Sequence, residues 1–268
     1  MKKNILTVLV LLSGLLVSPC YAQKALNDKL VRSACEGNLS GVQEALAAGA
    51  DINAIVHYEK IAMGVETNAL GCAVFLDRLI IVKELLKHKK TLNINLQGLM
   101  DETALMTAVE RTSSIKKSKE NEEIFNLLLA DENIDATLTD YDGNTALMLA
   151  AKIGHLKFVK KLLKYGKKHD VNIFAKNKYG NNVLLVACDS LMNDMEDRIK
   201  IIDLLATEYP LLMAMPNNEG KTALAMVNSY IKMGKEKDWL PETQNLYARI
   251  AAILKEKQRQ QPIKQIKR

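Results

Sequence analysis

Hydrophobic and polar positions along this chain alternate on two scales. Near the start, Lys2 and Lys3 precede a charge-free apolar stretch over residues 5–17, which ends before the short segment Cys20-Tyr21-Ala22. From Leu30 onward, apolar residues come in short bursts, and glycine, asparagine or aspartate separates each burst from the next. Within a burst the apolar residues recur three and four apart, which places them on one face of a helix. The bursts pair up. In the clearest pair, Ala146-Leu147-Met148-Leu149-Ala150-Ala151 is followed across Gly154 by Phe158-Val159 and Leu162-Leu163. This pattern predicts helix-turn-helix units joined by turn-rich segments.

The unit recurs. Its anchor leucines, Leu30, Leu70, Leu105, Leu147, Leu184 and Leu224, lie 35 to 42 residues apart. Asn68, Thr103, Thr145, Asn182 and Thr222 each stand two residues before an anchor, where a short polar side chain caps a helix start. Small alanines beside the anchors allow close helix approach, and the glycine between paired helices takes a turn that a side chain would resist. The second helices offer Leu85-Leu86, Leu128-Leu129, Leu162-Leu163 and Leu204-Leu205 to the same core. One such unit cannot cover its own apolar face, so the units must stack. The first copy lacks a leading hairpin, as suits a terminal cap.

The stretch Asp140-Tyr141-Asp142-Gly143-Asn144-Thr145-Ala146-Leu147-Met148-Leu149-Ala150-Ala151-Lys152-Ile153-Gly154-His155-Leu156 resembles the ankyrin repeat, with Ala146 and Met148 where that pattern has Pro and His. The resemblance implies an all-α solenoid of about six repeats with hairpin fingers, covering residues 23–254. It also implies protein binding through a concave surface of finger tips and first helices. The spacing exceeds the ~33 residues of the family repeat, so the repeats carry insertions. Two fall between paired helices, at 112–120 and 189–197. A third lengthens repeat six and holds Trp239, and a fourth, at 55–66, lengthens a finger.

Length and composition allow one elongated domain or two small ones. The 268 residues are 48% hydrophobic and 25% charged, enough apolar material for a core. The net charge of +6 suggests nucleic acid until it is located. It sits at the ends: Lys2 and Lys3 in the leader, and six Lys or Arg against Glu256 in 255–268. The body between is nearly neutral, so no nucleic-acid partner is expected, and the basic tail 255–268 is expected to be disordered.

The basic start, apolar run and small-residue site read as a signal peptide over residues 1–22, cleaved after Ala22. At ~1.5 Å per residue the apolar run spans about 20 Å, short of the ~30 Å bilayer core, so no stable membrane insertion is expected after cleavage. Pro19 argues against acylation of Cys20. The mature chain then keeps Cys35, Cys72 and Cys188, an odd number at irregular spacing, expected as unpaired small core residues rather than a disulfide framework.

The candidate chemical motifs are each incomplete. Gly220-Lys221-Thr222 lacks the leading glycine of a phosphate loop, since Met215 stands there, and the scattered His57, His88, His155 and His169 form no zinc spacing. Leu240-Pro241-Glu242-Thr243-Gln244 resembles a sortase signal but has Gln244 in place of glycine. We expect no enzyme, no cofactor and no metal. The resemblance implies a partner-binding surface at Tyr141, Asp142, Asn144, Lys152, Lys178, Tyr179, Asn181, Lys221 and Tyr230, with Met100, Glu102, Glu110, Arg111, Asp189 and Glu219 at further variable positions, and Trp239 of the repeat-six insertion is expected there too. The tyrosines lead because they bury large area at low entropy cost; Trp239 is either an exposed anchor or a cap of the last repeat. The reading is a monomeric, exported, periplasmic protein that binds another protein as an inhibitor, immunity-type module or scaffold. The alternative is a secreted effector that engages host proteins.

Overall fold

The computed structural model describes residues 19–58, 65–111, 119–189 and 195–260. The 5–17 run, most of the 112–120 insertion and residues 190–194 lie outside the described residues. The contacts divide the chain into two units, residues 1–93 and 94–268.

The first unit holds two helix pairs and one hairpin. Helix α1 (Pro19–Glu36) pairs with α2 (Leu39–Ala47), and α3 (Ala69–Phe75) with α4 (Leu79–Leu85). Between them β1 (Val56–Tyr58) and β2 (Val65–Thr67) run antiparallel, with Val56 opposite Thr67. The 55–66 insertion therefore does lengthen a finger. Helix α1 packs on α3, and α2 on α4. The site expected for signal cleavage opens α1, and the buried part of that helix, Leu30 to Cys35, lies well beyond it.

In the second unit α5 (Ala104–Arg111) pairs with α6 (Lys119–Leu129), α7 (Ala146–Ile153) with α8 (Leu156–Lys168), and α9 (Val183–Asp189) with α10 (Met195–Glu208). A single turn, α11 (Leu211–Ala214), leads to the last pair, α12 (Ala223–Glu236) and α13 (Pro241–Gln260). First helices stack α5 on α7, α7 on α9 and α9 on α12; second helices stack α8 on α10 and α10 on α13. Among the described residues no helix is long and apolar enough to cross a membrane.

The predicted caps are in place. Asn68 accepts from the Gly71 N–H at 2.8 Å, Thr103 from Met106 at 3.3 Å, Thr145 from Met148 at 3.3 Å and Thr222 from Ala225 at 3.4 Å. Asn182 accepts from both Leu184 and Leu185 at 3.0 Å. Each satisfies an amide that the first turn leaves without a partner. Gly154 closes α7 at φ +84°, a left-handed conformation open to glycine at little cost. The cores hold the anchors Leu30, Leu70, Leu105 and Leu184, and Phe125 stacks on Phe158 with ring centroids 3.8 Å apart.

Two expectations change. Cys35 and Cys72 are joined in a disulfide with Cα atoms 5.2 Å apart, so they are not unpaired core residues; Cys188 is buried and free. The stretch expected to be a tail begins inside α13, which runs to Gln260, and Lys257 pairs there with Asp203 at 3.0 Å. Apolar positions Leu246, Ile250 and Leu254 seat this helix on its neighbours and carry the chain past the expected boundary. Residues 261–268 lie outside the described residues.

Candidate binding face of the second unit

Three fingers in the second unit share one construction. In the 140–144 finger the Asp140 N–H donates to the Asn144 carbonyl and the Gly143 N–H to the Asp140 carbonyl. Residues 177–181 and 217–221 repeat both bonds. A polar side chain at the first position fixes each turn: Asp140 Oδ1 accepts from the Asn144 N–H at 2.7 Å, Asn177 Oδ1 from Asn181 at 3.0 Å and Asn217 Oδ1 from Lys221 at 2.9 Å. Such short side chains form these local bonds readily, which is why they populate turns.

The fingers also bond to one another. The Tyr141 N–H donates to the Met100 carbonyl at 2.7 Å, Lys178 to Asp142 at 2.9 Å and Asn218 to Tyr179 at 3.1 Å. Gly180 sits at φ +75°, and a β-carbon there would meet the Asn218 nitrogen at 2.6 Å. The tips therefore run in register, and they present Met100, Tyr141 and Tyr179, each more than half exposed (55%, 56% and 57%).

Around the tips the expected residues divide by role. Lys178 Nζ lies 3.6 Å from the centroid of the Tyr141 ring, an attraction between ammonium and ring face. Tyr179 donates its hydroxyl to Asp142 Oδ1 at 3.3 Å, and the negative charge of Asp142 holds that hydroxyl's pKa up. Lys152 is exposed at the end of α7. Lys221 pairs with Glu219 at 2.8 Å. Asp142, Lys152 and Tyr179 line one cleft of about 140 Å³ with Asn181 and Asp189.

Other expected contacts turn inward. Asn144 is 4% exposed; its amide donates to Asp140 at 3.0 Å and its oxygen accepts from Asn177 at 2.9 Å, so it braces two fingers. Asn181 is 7% exposed. Tyr230 is half-buried, its ring 5.1 Å from that of Tyr247 and its hydroxyl donated to Asp189; burial, then that hydrogen bond, push its pKa up. Trp239 is half-buried too: its ring would touch a β-carbon placed on Gly234 at 3.1 Å, and it lies 6.0 Å from Tyr247. It joins α12 to α13 and so caps the last repeat.

Two features went unforeseen. Glu102 carries a pKa pushed up to about 7, by burial first and then by the nearby carboxylates of Glu110 and Asp140. Glu110 is raised as well, by burial, against the attraction of Lys152. The repeat resemblance marked both as variable surface positions, and their desolvation, which comes from tertiary packing, is not visible in that pattern. Arg198 is 1% exposed and donates to the Lys152 carbonyl at 3.2 Å, which ties α10 to the end of α7 behind the cleft.

Residues 114–211 match the family model described as ankyrin repeats (3 copies). The crystal structure of EF0377, an ankyrin repeat protein, aligns with a TM-score of 0.63 at 22% identity, covering 86% of this chain and 98% of that one; at such identity the likeness is one of fold. No curated protein matches the chain. The capped helix pairs, the finger construction and these matches together show an all-α repeat solenoid with the ankyrin-repeat fold, in which residues 114–211 match the ankyrin-repeat family model.

Proposed function

We propose that this is an exported protein-binding module of the periplasm, acting as an inhibitor, immunity-type partner or scaffold, and that it binds through the finger-tip and first-helix face of its second unit. Ankyrin repeats generally mediate protein–protein interaction and typically serve as non-catalytic scaffolds. The observation that carries the reading is the row of exposed tips Met100, Tyr141 and Tyr179, held in register by backbone hydrogen bonds between fingers. Tyrosines on a rigid frame give an interface large contact area with little ordering cost.

Export is supported by the leader pattern and by the Cys35–Cys72 bond, since disulfides persist in oxidising compartments and are rare in reducing ones. Cell fractionation tests the location. Recovery of a shortened form beginning at Gln23 in the periplasm is the expected result. Recovery in the medium would favour the effector reading, and a full-length cytosolic form would contradict export altogether.

A further inference from the structure

We propose that the cleft between the 140–144 and 177–181 fingers seats one cationic side chain, an arginine or lysine, presented by the protein partner; this rests on the protein-binding reading above and names the chemistry of its central contact. The cleft measures about 140 Å³, while a single water needs only roughly 10–15 Å³. It is therefore large enough for a side-chain head group.

Its lining is rich in acceptors. Asp142 and Asp189 each use Oδ1 to accept a tyrosine hydroxyl, from Tyr179 and Tyr230 respectively. Those bonds fix both carboxylates in place and leave the second oxygen of each to accept a donor. Asn181 lines the same cleft while 93% buried, and its Oδ1 has no hydrogen-bond partner. A buried acceptor without a donor is costly, and a guanidinium brings five N–H donors in a planar fork. An anion, by contrast, would face two carboxylates and an unpaired carbonyl oxygen.

The basic residues nearby do not fill this role. Lys178 is held over the Tyr141 ring, and Lys152, the one cation among the described lining residues, is exposed at the end of α7, where its charge also acts on Glu110. The exposed Tyr179 ring at the rim offers a face on which a guanidinium can stack. The carboxylates accept from neutral donors, and among the described residues no ion pair engages either, so an incoming cation meets two available charges.

The test is a titration of the full chain with Nα-acetyl-arginine amide, followed through the Asn181 side-chain amide by nuclear magnetic resonance, with Nα-acetyl-glutamate amide as the control probe. A saturable shift in the millimolar range is expected from arginine and none from glutamate. Asp142→Asn and Asp189→Asn keep the oxygen that accepts each tyrosine and remove its charge; each should weaken arginine binding about tenfold. Lys152→Gln should strengthen it. No saturable shift, an equal response to glutamate, or unchanged binding in both aspartate variants would overturn the proposal. If a captured partner binds the Asp142→Asn/Asp189→Asn protein as tightly as wild type but is lost on Tyr141→Ala, the cleft fails as the seat of the cation while the binding face stands. A melting curve matching wild type guards each variant against misfolding.

Discussion

Cys35 on α1 and Cys72 on α3 are bonded across two stacked first helices of the first unit, 37 residues apart in sequence. Closing a loop of that length removes chain entropy from the unfolded state worth about 4 kcal/mol in the simple loop model. Reduction should therefore lower the stability of the first unit by an amount of this order. Thiol titration in denaturant gives a direct count: with cleavage after Ala22 removing Cys20, the mature protein should show only Cys188 before reduction and all three cysteines after it. Three reactive thiols in the unreduced protein would contradict the bond.

Glu102 leads to a pH prediction. Its carboxyl is raised from an ordinary 4.5 to about 7 in the folded protein, so the folded state holds the proton more tightly than the unfolded state. Stability from this group is complete below about pH 4.5 and is lost as pH rises through about 7. The Glu102→Gln variant removes that dependence. Its melting temperature relative to wild type should climb by a few degrees between pH 5 and 8, corresponding to about 1 kcal/mol after solvent screening. A difference that stays flat across that range would contradict the placement of Glu102 beside Glu110 and Asp140.

Gly180 holds a third prediction. At φ +75°, with the Asn218 nitrogen 2.6 Å from where a β-carbon would stand, Gly180→Ala must push the 177–181 and 217–221 fingers apart. The variant should lose about 2 kcal/mol, measured by urea unfolding. The Asn218 amide, which donates to the Tyr179 carbonyl, should exchange its hydrogen faster. Stability equal to wild type would show that the fingers are not in contact there.

The parts legible in the sequence were those set by local spacing. Thr103, Thr145 and Thr222 cap helices three residues ahead of the amides they satisfy, a relation that chain order alone displays. The lengthened 55–66 finger followed from counting between anchors. The disulfide did not, because Cys35 lies five residues after its anchor and Cys72 two after its own; only the packing of α1 on α3 brings them together. Asn144 and Asn181 occupy positions that the repeat pattern leaves variable, yet Asp140 and Asn177 draw them into the fingers. Nothing local separates such an asparagine from one that faces a partner. Trp239 and Tyr230 turned inward for a related reason: the enlarged last pair, α12 and α13, needs bulky side chains between its helices.

The binding face is tested most directly by affinity capture. Mature wild-type protein and a Tyr141→Ala/Tyr179→Ala variant would be used as bait in the native periplasmic extract, and the affinity of each captured protein measured with purified components. Both side chains are more than half exposed, so the variant should melt as wild type does. The binding face predicts that a specific partner binds the wild type and loses at least about tenfold in affinity for the variant. A partner that binds both proteins equally would contradict it.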